Sequence, residues 1–272
     1  MVAKMRGILS TRTVGHTGTL DPMATGVLPV MVGRATRAAV FLEDDSKEYV
    51  ARFRTGIVTD TQDITGRVLR EGEPCLDPDA VRKAAESFTG KGVQVPPMYS
   101  AVKINGKKLY ELARRGVEID RPPRNVEFYS IEVPNGIDGE YELRVRCSKG
   151  AYIRTLCHDI GEKLGCGAAM SSLRRTAAGR FDIGMSRTLG ELEELKREGL
   201  LGTALIPTDK IFSAFPGTEV SAAEEKRCRT GTPYETGLPE GRYRVYSAQG
   251  EFLMLGQVTG SRMETVRSFF EV

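Results

Sequence analysis

The 272-residue sequence predicts an α+β fold, a large domain of strands and helices followed by a small β-rich module. Three observations carry that prediction. Segments with a two-residue apolar period alternate with segments of helical period through the first two thirds of the chain. Beyond Ile206-Pro207 the pattern shortens to strands and turns: Gly231-Thr-Pro, Gly241, Arg242 to Tyr246, and Phe252 to Val258. Hydrophobic residues make up 40% and charged residues 28%, a balance that suits a buried core with a solvated surface. No run reaches the apolar length of a membrane helix, and the first residues offer no signal-peptide core.

In order along the chain, Val2 to Leu9 reads as an amphipathic helix already under way. A turn-rich loop follows, and Arg34 to Asp44 reads as a short helix. Lys47 to Thr55 reads as a strand, with Tyr49, Ala51 and Phe53 on one face and Arg52 and Arg54 on the other. Asp77-Pro78 supplies an N-cap and a first helical residue; Val81, Ala84, Ala85 and Phe88 share a stripe that Gly90 should end. Residues 95–124 combine an Asn105-Gly106 hairpin turn, a short basic helix from Lys107 to Arg115, and an Arg-Pro-Pro-Arg close. Val126 to Val133 and Tyr141 to Ser148 alternate as strands. Ile153, Leu156, Cys157, Ile160 and Leu164 form a helix stripe ended by Gly165, and His158 on that helix reads as structural or surface. An acidic helix from Leu189 to Glu198 precedes the boundary at 206–207.

The net charge of +3 matters less than its placement. Arg144 to Arg180 holds eight Lys/Arg against two acids, and Lys103 to Arg124 seven against three. Positive charge concentrated in segments is what a nucleic-acid footprint requires, although a charge run is also what any solvated face looks like. The five cysteines are scattered, with no Cys-x-x-Cys pair, and read as reduced cytoplasmic thiols. With only two histidines a zinc site finds no support, and the acids near Asp21 form no recognisable metal-ligand set.

The segment Val14 to Val30, Val-Gly-His-Thr-Gly-Thr-Leu-Asp-Pro-Met-Ala-Thr-Gly-Val-Leu-Pro-Val, carries the most chemical information. Three glycines and two prolines constrain it, and Pro22 biases Asp21 toward an extended backbone. A bare Leu-Asp-Pro would be a turn whose aspartate caps the next element. The whole stretch resembles the signature of the TruB-type tRNA pseudouridine synthases. That resemblance implies a mixed, largely antiparallel catalytic sheet over residues 1–206, an RNA-gripping insertion at about 93–124, and a PUA-like RNA-binding domain over 207–272.

It also implies roles residue by residue. Asp21 would be the nucleophile, with Arg154 of Gly150-Ala-Tyr-Ile-Arg-Thr as its cationic partner and Tyr152 lining the uracil pocket. Taken alone, Arg154 could be an exposed arginine at a helix start. Tyr49 of Lys47-Glu-Tyr would stack on the target base and is a candidate for taking the C5 proton; in isolation it reads as a core aromatic. His16 would place the flipped nucleotide rather than make bonds, and Leu173 of Leu-Arg-Arg would close over the uracil. Lys47, Lys107, Lys108, Arg174 and Arg175 are expected RNA contacts, Lys47 serving a phosphate or the local charge balance and the last two phosphates or structure. No cofactor is required in principle. The implied substrate is the uridine at position 55 of the tRNA T-loop, handled by a cytoplasmic monomer with no guide RNA and no membrane. The alternative is a non-catalytic tRNA-binding or tRNA-folding factor.

One departure stands at the start. The resembling family carries a strand and a Lys-Pro-x-Gly-x-Thr-Ser segment before the helix that Val2–Leu9 matches; here the chain begins inside that helix. A late-assigned start codon, a shortened chain or a lost segment would each produce this. The chain as written is expected to melt lower and turn over more slowly than an upstream-extended form. Equal melting temperatures and rates would contradict that.

Overall fold

A computed structural model describes residues 1–42 and 46–270 of the chain. It divides into two compact units, one of Gly18–Pro29 and Glu43–Ser186, the other of Met1–Thr17, Val30–Leu42 and Arg187–Val272. No described helix is long and apolar enough to cross a membrane.

The first unit is built on an eight-stranded mixed sheet, largely antiparallel. Its main path runs Phe181–Asp182, Ala168–Ala178, Lys47–Thr55, Glu140–Cys147, Arg124–Glu132 and Gly90–Gln94. Gly136–Ile137 pairs beside Glu140–Cys147, and the short strand Thr25–Gly26 runs parallel beside Ala168–Ala178. The alternation in Lys47–Thr55 does what it predicts: Ala51 and Phe53 are buried, Arg52 and Arg54 exposed. That buried face packs with the helices Pro78–Glu86 and Ile153–Leu164 into one core that includes Val81, Leu143, Leu156 and Ile160. Gly165 ends the second helix in the left-handed conformation, φ 80°. Asp77 caps the first through its side chain, but that helix stops at Glu86 with Ser87 as cap. Gly90, φ 103°, opens the next strand instead. In the insertion, Lys103–Ile104 and Lys107–Lys108 form a hairpin whose turn residues Asn105 and Gly106 both have positive φ, the requirement of a type I′ turn. The helix after it is shorter than expected, Leu109–Ala113.

The second unit contains the helix Val2–Leu9, the antiparallel pair Val14–His16 and Val30–Val32, and a 3-10 helix, Gly33–Phe41. The helix expected at 34–44 is therefore a tighter 3-10 form, and positions 43 and 44 lie outside the described residues. Met5, Ile8 and Val14 are buried against Leu189, Leu192 and Leu201, which ties the chain start to the acidic helix Leu189–Arg197. A five-stranded sheet follows, ordered Gly217–Glu219, Gly241–Tyr246, Phe252–Thr259, Arg262–Ser268, Tyr234–Glu235. Phe41, Phe212, Phe215, Phe252 and Phe269 gather in one aromatic cluster, joining the 3-10 helix to the C-terminal strands. These apolar contacts are why the compact units do not follow a linear division at 206–207.

Candidate active site

The loop that carries Asp21 is built into the edge of the sheet. Thr25–Gly26 pairs with Arg174–Arg175, and Val27 N donates to Arg175 O at 2.8 Å. Gly26 has φ 99°, and a Cβ there would lie 2.1 Å from Arg175 O, so the approach requires glycine. The Arg175 side chain, 2% exposed, secures the same loop: Nε donates to Val27 O at 2.7 Å and Nη2 to Gly18 O at 3.1 Å. Between these anchors Ala24 N closes a turn onto Asp21 O at 2.9 Å, with Pro22 in the second position that its fixed φ favours. The carboxylate of Asp21 stands at the head of this turn, partly exposed.

Arg154 meets it. Located in the first turn of Ile153–Leu164 and 4% exposed, its guanidinium presents Nη2 to Asp21 Oδ1 at 2.9 Å and Nε to Oδ2 at 2.8 Å. The Nε–H points off the line to its oxygen, so that second contact acts through charge rather than as an aligned hydrogen bond. The remaining donors are fixed by backbone: Nη1 to Thr61 O at 3.1 Å and Nη2 to Tyr99 O at 2.9 Å. A second acid, Asp63, is 5% exposed with Oδ2 3.7 Å from Nη1. Its Oδ1 accepts from Thr61 Oγ1, Thr65 N and Thr65 Oγ1 at 2.9, 3.0 and 2.5 Å, so its own orientation is locked. Burial lifts the Asp21 pKa above the ordinary carboxylate value; Arg154 opposes the rise by charge and hydrogen bond, and Asp63 adds to it.

Tyr49 sits opposite Arg175 in one ladder and Val145 in the other. Burial raises its phenol pKa, while Arg175 opposes that by charge and by a hydrogen bond. Leu173, opposite Ala51, is buried. Met23 and Ala24 beside Asp21, Tyr49, Leu173 and Ile153 beside Arg154 all belong to one apolar cluster, so four predicted positions are drawn to one place. Tyr152 is the N-cap residue of the Arg154 helix, its N donating to Gln94 Oε1 at 2.9 Å and its O accepting from Gln94 Nε2 at 3.2 Å. His16 ends the strand Val14–His16 in the other unit. In the insertion Lys107 is exposed, and Lys108 reaches Tyr110 OH at 3.3 Å; Arg174 is exposed.

For two expected RNA contacts the burial favours the other role, local charge balance for Lys47 and structure for Arg175. Lys47, 7% exposed and opposite Cys147, and Arg175, whose donors hold carbonyls, are inside the protein; a phosphate needs an accessible donor. Asp63, Gln94 and the carbonyls of Thr61 and Tyr99 were not anticipated. The hydroxyls flanking Asp63 in Thr61-Gln-Asp63-Ile-Thr65 were the available signal, since such residues bond to near neighbours. Among the described residues no three His, Cys, Asp or Glu side chains are grouped to hold a metal ion.

The chain superposes on a protein in the crystal structure of a Cbf5-Nop10-Gar1 complex with TM-score 0.70 and 27% identity, covering 99% of this chain and 80% of that one. It also superposes on a chain of an H/ACA RNP bound to a substrate RNA containing 2'-deoxyuridine, with TM-score 0.69, 25% identity and the same coverage. Family models agree: residues 6–153 match the TruB family pseudouridylate synthase N-terminal domain, and 154–213 the tRNA pseudouridylate synthase B C-terminal domain. The tRNA pseudouridine synthase B of Syntrophomonas wolfei is 43% identical over 274 residues, 98% of this chain and 91% of that protein. That of Alkaliphilus oremlandii is 47% identical over 231 residues, 85% and 76% of the two chains. The chain belongs to the TruB family of pseudouridylate synthases.

Proposed function

We propose that this chain isomerises uridine to pseudouridine at position 55 in the tRNA T-loop, with Asp21 as nucleophile on a flipped-out nucleotide. The observation that carries the reading is the Asp21 carboxylate gripped by the Nη2 and Nε side of a buried Arg154. A carboxylate can attack only if it is ionised and aimed, and this pair supplies both conditions. The relatives named tRNA pseudouridine synthase B support tRNA as the substrate. In the reaction the N1–C1′ bond breaks and a C5–C1′ bond forms, while C5 gives up one proton and N1 takes one up. Atoms and charge balance without an oxidant or reductant. Tyr49 serves to stack on the base and take the C5 proton, Tyr152 and Leu173 wall the pocket, and His16 places the extruded nucleotide. Residues 1–206 form the catalytic portion and 207–272 a PUA-like RNA-binding module, working as a cytoplasmic monomer without guide RNA.

The test is incubation with a T-stem-loop RNA, wild type against Asp21→Asn, followed by assay for pseudouridine. Product from wild type alone is expected. Product that persists in Asp21→Asn removes the nucleophile, and RNA binding without product from either protein favours a folding factor.

The raised Asp21 pKa gives a second expectation. Protonation silences the nucleophile, so single-turnover rates should fall on the acid side at a pH above the usual aspartate range. A rate that holds down to the ordinary carboxylate value would contradict it.

A further inference from the structure

Arg175, for which the sequence left a phosphate contact or a structural role open, occupies an unusual position. Its strand is flanked on one side by Lys47–Thr55, where its partner is Tyr49, and on the other by Thr25–Gly26, where its partner is Gly26. Its guanidinium collects the carbonyls of Gly18 and Val27, which bracket Asp21 in sequence, and Tyr49 stands directly across the ladder, where the Arg175 charge acts on its phenol. One planar fork therefore holds both ends of the nucleophile's loop, directly across the ladder from the aromatic residue proposed to face the base.

A loop staple alone does not call for a buried cation. The backbone bond from Val27 N and the Gly26 ladder already fasten the strand, and desolvating a guanidinium is costly. What the cation adds is a fixed relation between the loop that carries Asp21 and the strand that carries Tyr49.

We infer that Arg175 is a positioning residue for the reaction, holding the Tyr49 phenol oxygen in register with the Asp21 carboxylate. The inference rests on the function proposed above. Since C5 gives up a proton and N1 takes one up, a phenol that relays a proton returns to its starting state. Losing the Arg175 fork slows that C5 transfer more than it slows RNA capture.

The experiment uses T-stem-loop RNA carrying uridine or 5-deuterouridine, with wild type, Arg175→Met and Arg175→Lys. Single-turnover rate, RNA affinity and melting temperature are measured for each. Arg175→Met should slow product formation by about a hundredfold or more, with RNA affinity kept and a larger C5 deuterium effect than wild type. Arg175→Lys keeps the charge but not the fork, and should show the enlarged isotope effect with a smaller loss of rate. An unchanged isotope effect, with rate and melting temperature falling together, identifies a structural staple and overturns the inference; so does an unchanged rate. If Arg175→Met does not fold, Arg175→Lys decides. A wild type that makes no pseudouridine defeats the functional reading instead, whereas an active wild type with unaltered Arg175→Lys isotope behaviour defeats only the positioning role.

Discussion

An Arg154→Met protein is expected to make no measurable pseudouridine and to lose about 3–5 kcal/mol of stability, the usual consequence of removing one partner from a buried ion pair. Methionine fills much of the volume but leaves two acids, Asp21 and the 5%-exposed Asp63, facing a site without a cation. It also strands the Thr61 and Tyr99 carbonyls that the guanidinium satisfies. The loss should depend on pH, and its sign follows from linkage. Without Arg154, the influences left on Asp21 are burial and the charge of Asp63, both of which raise its pKa above the unfolded value. The folded state then binds protons more tightly than the unfolded one, so stability falls as pH rises through that interval. Denaturant melts should therefore place the variant nearest to wild type in acid and furthest from it at neutral pH. A deficit independent of pH would mean that lost packing, not uncompensated charge, is responsible. Arg154→Lys sharpens the point: a single ammonium cannot serve Asp21, Asp63 and two carbonyls at once, so it should recover part of the stability and little of the turnover.

The same geometry explains which parts of the site could be read from sequence. Asp21, Arg154 and Tyr49 lie in the motifs that carry the family resemblance, and Tyr49 also follows a clean two-residue alternation. Asp63 does not, because it sits in an acidic stretch where six acids crowd between Asp60 and Asp79, and only the fold selects one for burial. The buried placement of Arg175 was hidden for a related reason. Its strand, Ala168–Ala178, reads Ala-Ala-Met-Ser-Ser-Leu-Arg-Arg-Thr-Ala-Ala; register shifts at Met170/Ser172 and Arg175/Ala177 break the alternation that would have marked it as a strand. The helix Ala222–Thr230 was missed despite a Ser221–Glu224 capping box and Gly231 at its end. Only Cys228 is buried there, so no apolar stripe accompanied the caps. Helices that bury a full face, such as Ile153–Leu164, were legible to the residue.

Gly26→Ala is expected to produce a folded protein with turnover reduced by about a hundredfold or more, the scale of a misplacement near 1 Å at a reacting group. The added Cβ would lie 2.1 Å from Arg175 O and 2.9 Å from Arg175 C and N, all backbone atoms of a strand paired on both sides. Because that strand is held by the ladder to Lys47–Thr55, the loop is the partner that must move. Moving it breaks the Val27 N to Arg175 O bond and carries Asp21, five residues earlier, away from Arg154. Backbone strain alone would be a weaker insult, and Gly33→Ala measures it. Gly33 also has positive φ, 58°, but an added Cβ there meets nothing within 4 Å. Alanine at Gly33 should therefore show only the cost of the left-handed backbone, about 1–3 kcal/mol at most. Alanine at Gly26 should add to that cost a loss of the Asp21–Arg154 contact, visible as collapsed single-turnover rates with RNA affinity retained. Similar rates for the two variants would mean that the loop tolerates displacement, and that Asp21 is aimed by Arg154 rather than by the backbone it stands on.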